Sequence, residues 1–316
     1  MKEQIKDITG LKIQENKPLK DYTTFKIGGP ARYFVEVTNK PDLLRALRAC
    51  RELDLPFYIL GGGSNVLVAD DGFNGLIIKL GSGEVEFLGG GARVFAGNNW
   101  MKFVRKTVEK GLTGLEFGAN IPGSVGGAIY GNAGAYGQGV GDFIESVEVI
   151  VLDKKEINLK VLSAEECVFS YRHSLFKENK NWIIAEAVFK LSPSEKAEEK
   201  LKQINQEWRE RQEKQPLNKP SAGCSFKNVP APDDLGKIPR NWVIKGKIPA
   251  ARLIEEVQMK GVSLGGAKVS DKHANFIVNH DQATADDVVQ LISMIKSKVR
   301  VRYNLQLEEE VQYVGF

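Results

Sequence analysis

The spacing of hydrophobic and polar positions changes several times along the chain, and each change predicts an element. Residues 32–37 (RYFVEV) read as a strand. Over 41–53, Leu43, Leu44, Leu47 and Cys50 recur at helical spacing and share one face. Residues 56–60 (PFYIL) form a short buried strand that runs into a glycine-rich turn and the apolar residues 66–68; 75–80 is a further strand. The opening segment is therefore β-α-β, with the turn after its second strand. A helix is expected at 100–110 and strands at 145–152 and 182–191. Residues 193–214 read as a long charged helix, with Ser192 as N-cap, Pro193 at the first helical position and Glu195 completing a capping box. Helices follow at 249–259 and 285–303, the latter with Val288, Leu291, Ile292, Ile295 and Val299 on one face; strands are expected at 275–279 and 308–314. The class is α+β, with a boundary near 192–220.

Two stretches do not fit this patterning. Gly61, Gly62, Gly63, Ser64 and Asn65 follow a buried strand. Glycines there let the main chain reach positive φ and approach a ligand, and successive N–H groups can form an anion nest. A plain tight turn explains them equally well. Residues 118–137 are small throughout and lack a sustained amphipathic period. Long structureless connections are uncommon inside a domain. Small side chains would let main chain lie against a large flat group joined to a pyrophosphate, with donors from Pro122–Gly127 and 132–135; close packing of elements is the alternative.

Composition narrows the class. The chain has 316 residues, enough for about two domains, with 42% hydrophobic and 27% charged residues. Net charge is +4 with both signs mixed along the chain, so no nucleic-acid stripe is expected. Three cysteines without a CxxC pair suit a reducing compartment. The polar N-terminus shows no signal peptide, and no apolar run is long enough for a membrane span.

Candidate chemistry lies in short segments. Cys224 sits among small polar residues beside Ser225, with Lys227 and Asn228 following. Either Cys224 or Ser225 could deliver a proton, although local sequence alone favours Cys224 as a small buried apolar residue. Tyr171-Arg172 could clamp a carboxylate or phosphate, or form a surface ion pair. Glu308, Glu309 and Glu310 run consecutively, and strand alternation would put Glu308 and Glu310 on one face. His173, His273 and His280 have no metal-ligand spacing, so no metal is expected. GxGxxG, P-loop and GxSxG motifs are all missing.

Eight segments in order resemble the UDP-N-acetylenolpyruvoylglucosamine reductase family: 23–32, 60–68, 114–137, 170–177, 220–228, 250–255, 260–277 and 307–311. The resemblance implies an FAD-binding domain of the vanillyl-alcohol-oxidase type in two subdomains (about 1–82 and 83–192). A C-terminal α+β domain for the UDP-substrate would follow at 193–316. It assigns FAD to Gly61, Gly62, Gly63, Ser64, Asn65, Pro122, Gly123, Ser124, Gly126, Gly127, Ala128, Asn132, Gly134 and Ala135. It assigns substrate to Tyr136, Tyr171, Lys227, Asn228, His273 and Asn275. Catalysis would fall to Arg172, Cys224 and a protonated Glu310, with NADPH as reductant, the UDP-sugar enolpyruvyl ether as substrate, and a monomeric enzyme in the bacterial cytoplasm. Hydride would go to C3 of the enolpyruvyl group and a proton to C2.

This chain departs from the family pattern in places. Glu309 stands where the family has Pro, and Gln312 where Arg is usual. Residues 229–248 look longer than in relatives and have no predicted place. The short link from 177 to 182 matches the branch that lacks an extra tyrosine-bearing loop. Another FAD-dependent oxidoreductase on the same fold, or a non-catalytic flavin- or sugar-nucleotide-binding protein, remain the alternatives.

Overall fold

The alternation near residue 32 becomes strand Pro30–Val37, which sends Tyr33, Val35 and Val37 into one core. The following helix spans Lys40–Glu52. Asn39 caps it by accepting from the Asp42 N–H at 2.8 Å, and Leu43, Ala46, Leu47 and Cys50 are buried along it. These features belong to a computed structural model that describes residues 1–153 and 156–316. Contacts gather the chain into two compact units. The first holds Met1–Lys17, Ala31–Gly62 and Asn74–Arg209; the second holds Pro18–Pro30, Gly63–Phe73 and Glu210–Phe316.

The first unit is built on two sheets. One has the order Gln14–Pro18, Pro30–Val37, Phe73–Leu80, Phe57–Leu60, with the last pair parallel. The other is antiparallel: Ile157–Ser163, Ile144–Leu152, Trp182–Lys190, Gly91–Phe95, Val85–Leu88. Helix Trp100–Glu109 covers this second sheet, and Trp100, Phe103 and Phe189 meet at 5.3–6.1 Å between ring centroids. A single buried cluster runs through both sheets, from Leu76 and Ile78 to Val94, Val147 and Ile150. Such burial is what stabilises a mixed layer fold of this kind.

Three expectations need correction here. The charged helix spans Ala197–Lys214 and does not begin at Pro193. Ser192 and Pro193 instead pair with Thr113 and Leu112, and the Ser194 N–H donates to the Gly111 carbonyl at 2.7 Å. The ladder claims these groups before a helix can, so Ser192 is not a cap. The small-residue segment contains a short helix, Val125–Tyr130, with Val125, Ala128 and Ile129 buried. Ser124 caps it by accepting from the Gly127 N–H at 3.2 Å.

In the second unit, Ser221–Cys224, Phe276–Asn279, Ala267–Val269 and Ser263–Leu264 form an antiparallel sheet. Helices Ala250–Glu256 and Ala285–Tyr303 share its core, and the predicted apolar face of the latter is buried. The third correction concerns the last strand, which is only Gln312–Val314, paired in parallel with Val66–Val68. Residues 229–248 form a small excursion. Val229–Pro230 pairs with Lys247–Ile248, Ile238 is buried, and Trp242 meets the Tyr303 ring edge-on at 6.0 Å.

Helix Ala285–Tyr303 carries a capping box that sequence reading missed. Thr284 Oγ1 accepts from the Asp287 N–H at 3.1 Å, and the Asp287 carboxylate accepts from the Thr284 N–H at 3.0 Å. The Asp70 carboxylate accepts from the Ala285 N–H at 2.9 Å, adding a charge that favours the positive end of the helix. Thr284→Ala should lower stability by about 1 kcal/mol, read as an earlier urea midpoint with secondary structure otherwise unchanged.

Candidate active site

In the first unit, the turn after strand Phe57–Leu60 lies directly on the loop before helix Val125–Tyr130. A Cβ built on Gly62 would stand 2.6 Å from Gly123 Cα, and one on Gly61 would stand 2.3 Å from Ser124 Oγ. Gly123 itself has φ +139°, a conformation that favours glycine. The two glycine stretches singled out from sequence are thus brought together, main chain against main chain. Gly62, Pro122 and Gly127 are exposed while Ser124, Val125 and Ala128 are buried, so this pair of loops presents a bare strip of main chain. Not every amide is available there. Val125 N–H donates to Asn98, Gly126 N–H to Ala96 and Gly127 N–H to Ser124 Oγ. Several glycines also serve packing: a Cβ on Gly126 would meet that of Ala96 at 2.9 Å, and one on Gly134 would meet the Gln138 carbonyl at 2.4 Å.

Arg172 sits at the tip of a tight turn in which Ser170 and His173 exchange main-chain hydrogen bonds of 3.2 and 3.1 Å. Its φ of +56° is unusual for an Arg and turns the side chain back over the small-residue segment. There Nη1 donates to the Gly134 carbonyl at 3.2 Å, and the guanidinium lies 5.5 Å from the Tyr171 ring centroid. Asn132, also at positive φ, donates through Nδ2 to the Ser170 carbonyl at 2.8 Å and accepts from the Gly141 N–H at 3.0 Å. Lys177 fixes the turn from behind by donating to the Arg172 carbonyl at 2.7 Å. Asn132, Gly134, Tyr171 and Arg172 therefore form one connected group. Gly134–Ala135 pairs with Gln138–Gly139, and Tyr136 stands 69% exposed in the turn between them.

In the second unit, the segment after Cys224 lies beside the acid run. The Glu310 N–H donates to the Ser225 carbonyl at 2.8 Å, and the Lys227 N–H donates to the Glu308 carbonyl at 2.9 Å. The three acids separate by environment. Glu308 is exposed and pairs with Lys227 at 3.0 Å. Glu309 pairs with Lys296 at 2.6 Å, and burial together with Glu309 pushes the Tyr313 hydroxyl well above its ordinary value. Glu310 is half-buried, and its carbonyl accepts from Asn65 Nδ2 at 3.0 Å and Gln312 Nε2 at 3.1 Å. Ser225, one residue after Cys224, is thus bonded to Glu310, which Asn65 holds in turn. Gly63 closes this side; a Cβ there would meet the Tyr22 carbonyl at 2.0 Å, and Thr24 N–H donates to the Gly63 carbonyl at 3.0 Å.

The other expected substrate residues have structural bonds in this unit. Asn228 Oδ1 accepts from the Ala250 N–H at 3.1 Å, at the start of a helix. Asn275 is buried, and its amide is turned to the Phe226 main chain. His273 Nδ1 accepts from the Asn275 N–H at 3.3 Å, which leaves Nε2 to carry the proton of the neutral ring. Burial holds His273 below its ordinary pKa, keeping it neutral. Sequence reading passed over Lys177 and Lys296. Lys177 lay inside a quoted motif, whereas nothing local links Lys296 to Glu309. Cys50 and Cys167 are buried, and burial pushes both thiols up to about 12; Cys224 is only half-buried. Among the described residues, no group of three or more His, Cys, Asp or Glu side chains could hold a metal ion, and no helix is long and apolar enough to cross a membrane.

Residues 31–159 match the model of an FAD binding domain, and the strip with exposed Gly62, Pro122 and Gly127 lies within them. No Cβ projects from the glycines of that strip, which fits a flat, phosphate-bearing cofactor. The chain is an FAD-dependent oxidoreductase of mixed α and β structure. Residues 215–314 match the C-terminal domain model of UDP-N-acetylenolpyruvoylglucosamine reductase, and the chain belongs to that family. The enzyme of that name from Carboxydothermus hydrogenoformans is 40% identical over 318 residues, covering 100% of this chain and 98% of its own. That from Caldanaerobacter subterraneus is 38% identical over 307 residues, covering 96% and 94%. The crystal structure of the Thermus caldophilus reductase superposes with a TM-score of 0.74 at 34% identity, covering 96% of this chain and 98% of that one.

Two outcomes follow from this geometry. Gly62→Ala should destabilise the protein by about 1–3 kcal/mol and lower its flavin content, read from visible absorbance after gel filtration. Because the folded state resists protonating His273, the unfolded chain binds more protons as pH falls below the ordinary histidine value, and stability is lost there. His273→Gln should make the fall in melting temperature below about pH 6.5 shallower.

Proposed function

We propose that this protein reduces the enolpyruvyl ether of UDP-N-acetylglucosamine to UDP-N-acetylmuramate with electrons from NADPH. It thereby serves peptidoglycan synthesis, and through it cell shape and division, as a monomer in the cytoplasm. Residues 1–192 hold the flavin in two subdomains, about 1–82 and 83–192; residues 193–316 hold the UDP-sugar. The observation that carries the reading is the hydrogen bond of 2.8 Å from Glu310 N–H to the Ser225 carbonyl, which sets an acid beside the Cys224 segment on a chain of this family.

FAD bound here would, once reduced by NADPH, supply the hydride for C3 of the enolpyruvyl group. Main chain at Gly61, Gly62, Gly63, Pro122, Gly123 and Ser124 would hold the cofactor, helped by Ser64, Asn65 and the 126–135 segment. Negative charge then develops at C2 and on the adjoining carboxylate. Arg172 meets that charge with its guanidinium, and a proton held on Glu310 stabilises the enolate. Cys224 delivers the proton to C2, with Ser225 its neighbour in reserve. Tyr136, Tyr171, Lys227, Asn228 and His273 surround the UDP-sugar.

An anaerobic colour test decides the reading. Yellow protein should bleach with NADPH and recolour when the UDP-sugar enolpyruvyl ether is added; failure to recolour would overturn the substrate assignment. Cys224→Ala should keep the NADPH bleaching rate while slowing recolouring by about 10²–10⁴-fold. Arg172→Ala should show the same split, and a colourless Arg172 variant would make that residue structural.

A further inference from the structure

The chain after Cys224 has a main-chain pairing problem. Strand Ser221–Cys224 pairs with Phe276–Asn279 through a register shift, and its last partners are Cys224 and Phe276. Ser225 N–H still donates to the Asn275 carbonyl at 2.7 Å. Phe226 lies beyond the ladder and is 1% exposed, so its peptide groups are shut away from water. A buried N–H or C=O without a partner is costly.

The Asn275 side chain meets both needs. Its Oδ1 accepts from the Phe226 N–H at 3.0 Å, and its Nδ2 donates to the Phe226 carbonyl at 2.8 Å. A primary amide offers the same donor and acceptor as a peptide group, so Asn275 stands in for one more strand residue. On the opposite side, Phe226 bridges Glu309, while its neighbours bond to Glu310 and Glu308. The segment carrying the proton donor is therefore held between a side-chain amide and the acid run.

We propose that Asn275 is a positioning residue for proton delivery: by gripping the Phe226 main chain it holds Cys224 in register with Glu310, and its amide does not bind substrate. This rests on the functional reading above and replaces the substrate role inferred for Asn275 from sequence. Asn275→Leu keeps the volume and removes both bonds. Asn275→Asp keeps an acceptor for the Phe226 N–H and loses the donor to the carbonyl.

Two measurements on the holoenzyme test it. The first is alkylation of Cys224 by iodoacetamide, which needs no turnover. Cys50 and Cys167 are buried with raised pKa values, so the reaction reports Cys224. The second is steady-state and half-reaction kinetics. Asn275→Leu should change the alkylation rate several-fold and lower kcat for the UDP-sugar by about ten- to a hundredfold. The KM should stay within about twofold and NADPH bleaching should be unchanged, with Asn275→Asp intermediate. A raised KM with kcat unchanged would make Asn275 a substrate ligand and overturn the proposal, as would wild-type alkylation and kcat in a folded variant. If the Leu variant does not fold, the Asp variant decides by the same criteria. A wild-type enzyme inactive on the UDP-sugar would sink the functional reading, and the alkylation rates would still decide whether Asn275 holds Cys224.

Discussion

Close approach of main chain to main chain is the constraint on which this structure depends. At Gly62 a single added carbon would fall 2.6 Å from Gly123 Cα, and at Gly63 2.0 Å from the Tyr22 carbonyl. These contacts have no flexible side chain that could yield. The cost of an added methyl there falls on the backbone, which relaxes poorly. The same constraint removes side chains from the strip where a flat cofactor would lie. Packing and binding thus make the same demand on sequence at these positions, which explains why glycine density alone could not separate the two.

Polar groups in the second unit are arranged by a different rule. Buried peptide groups that leave a ladder must find partners elsewhere, and here asparagine side chains supply them. Asn65 donates to the Glu310 carbonyl, Asn275 takes both groups of Phe226, and Asn228 serves a helix start. The acid run is sorted by the same means. Lys227 takes Glu308 and Lys296 takes Glu309, while Glu310 lies against Ser225 and Asn65. Glu309 finds its cation on helix Ala285–Tyr303.

Elements with a strong period were legible in the sequence. Lys40–Glu52, Trp100–Glu109 and Ala285–Tyr303 lie where apolar spacing put them, because one continuous face of each is buried. Capping chemistry misled at Ser192, where a long-range ladder outcompeted a locally plausible helix start. Helix Val125–Tyr130 escaped notice because six residues cannot display a period. The Arg172–Gly134 and Glu310–Ser225 bonds join residues far apart in the chain, and only family resemblance brought these residues into one list. Nothing local announces that Pro18–Pro30 and Gly63–Phe73 belong with the C-terminal residues.

The parallel pairing of Val66–Val68 with Gln312–Val314 has a consequence for biosynthesis. The partners are separated by more than two hundred residues, so the early strand leaves the ribosome long before its mate exists. Until Gln312–Val314 emerge, Val66, Leu67 and Val68 must wait with an open apolar edge, a situation that invites chaperones or misassembly. Loss of Gln312–Val314 would therefore strip the partner from a strand made more than two hundred residues earlier.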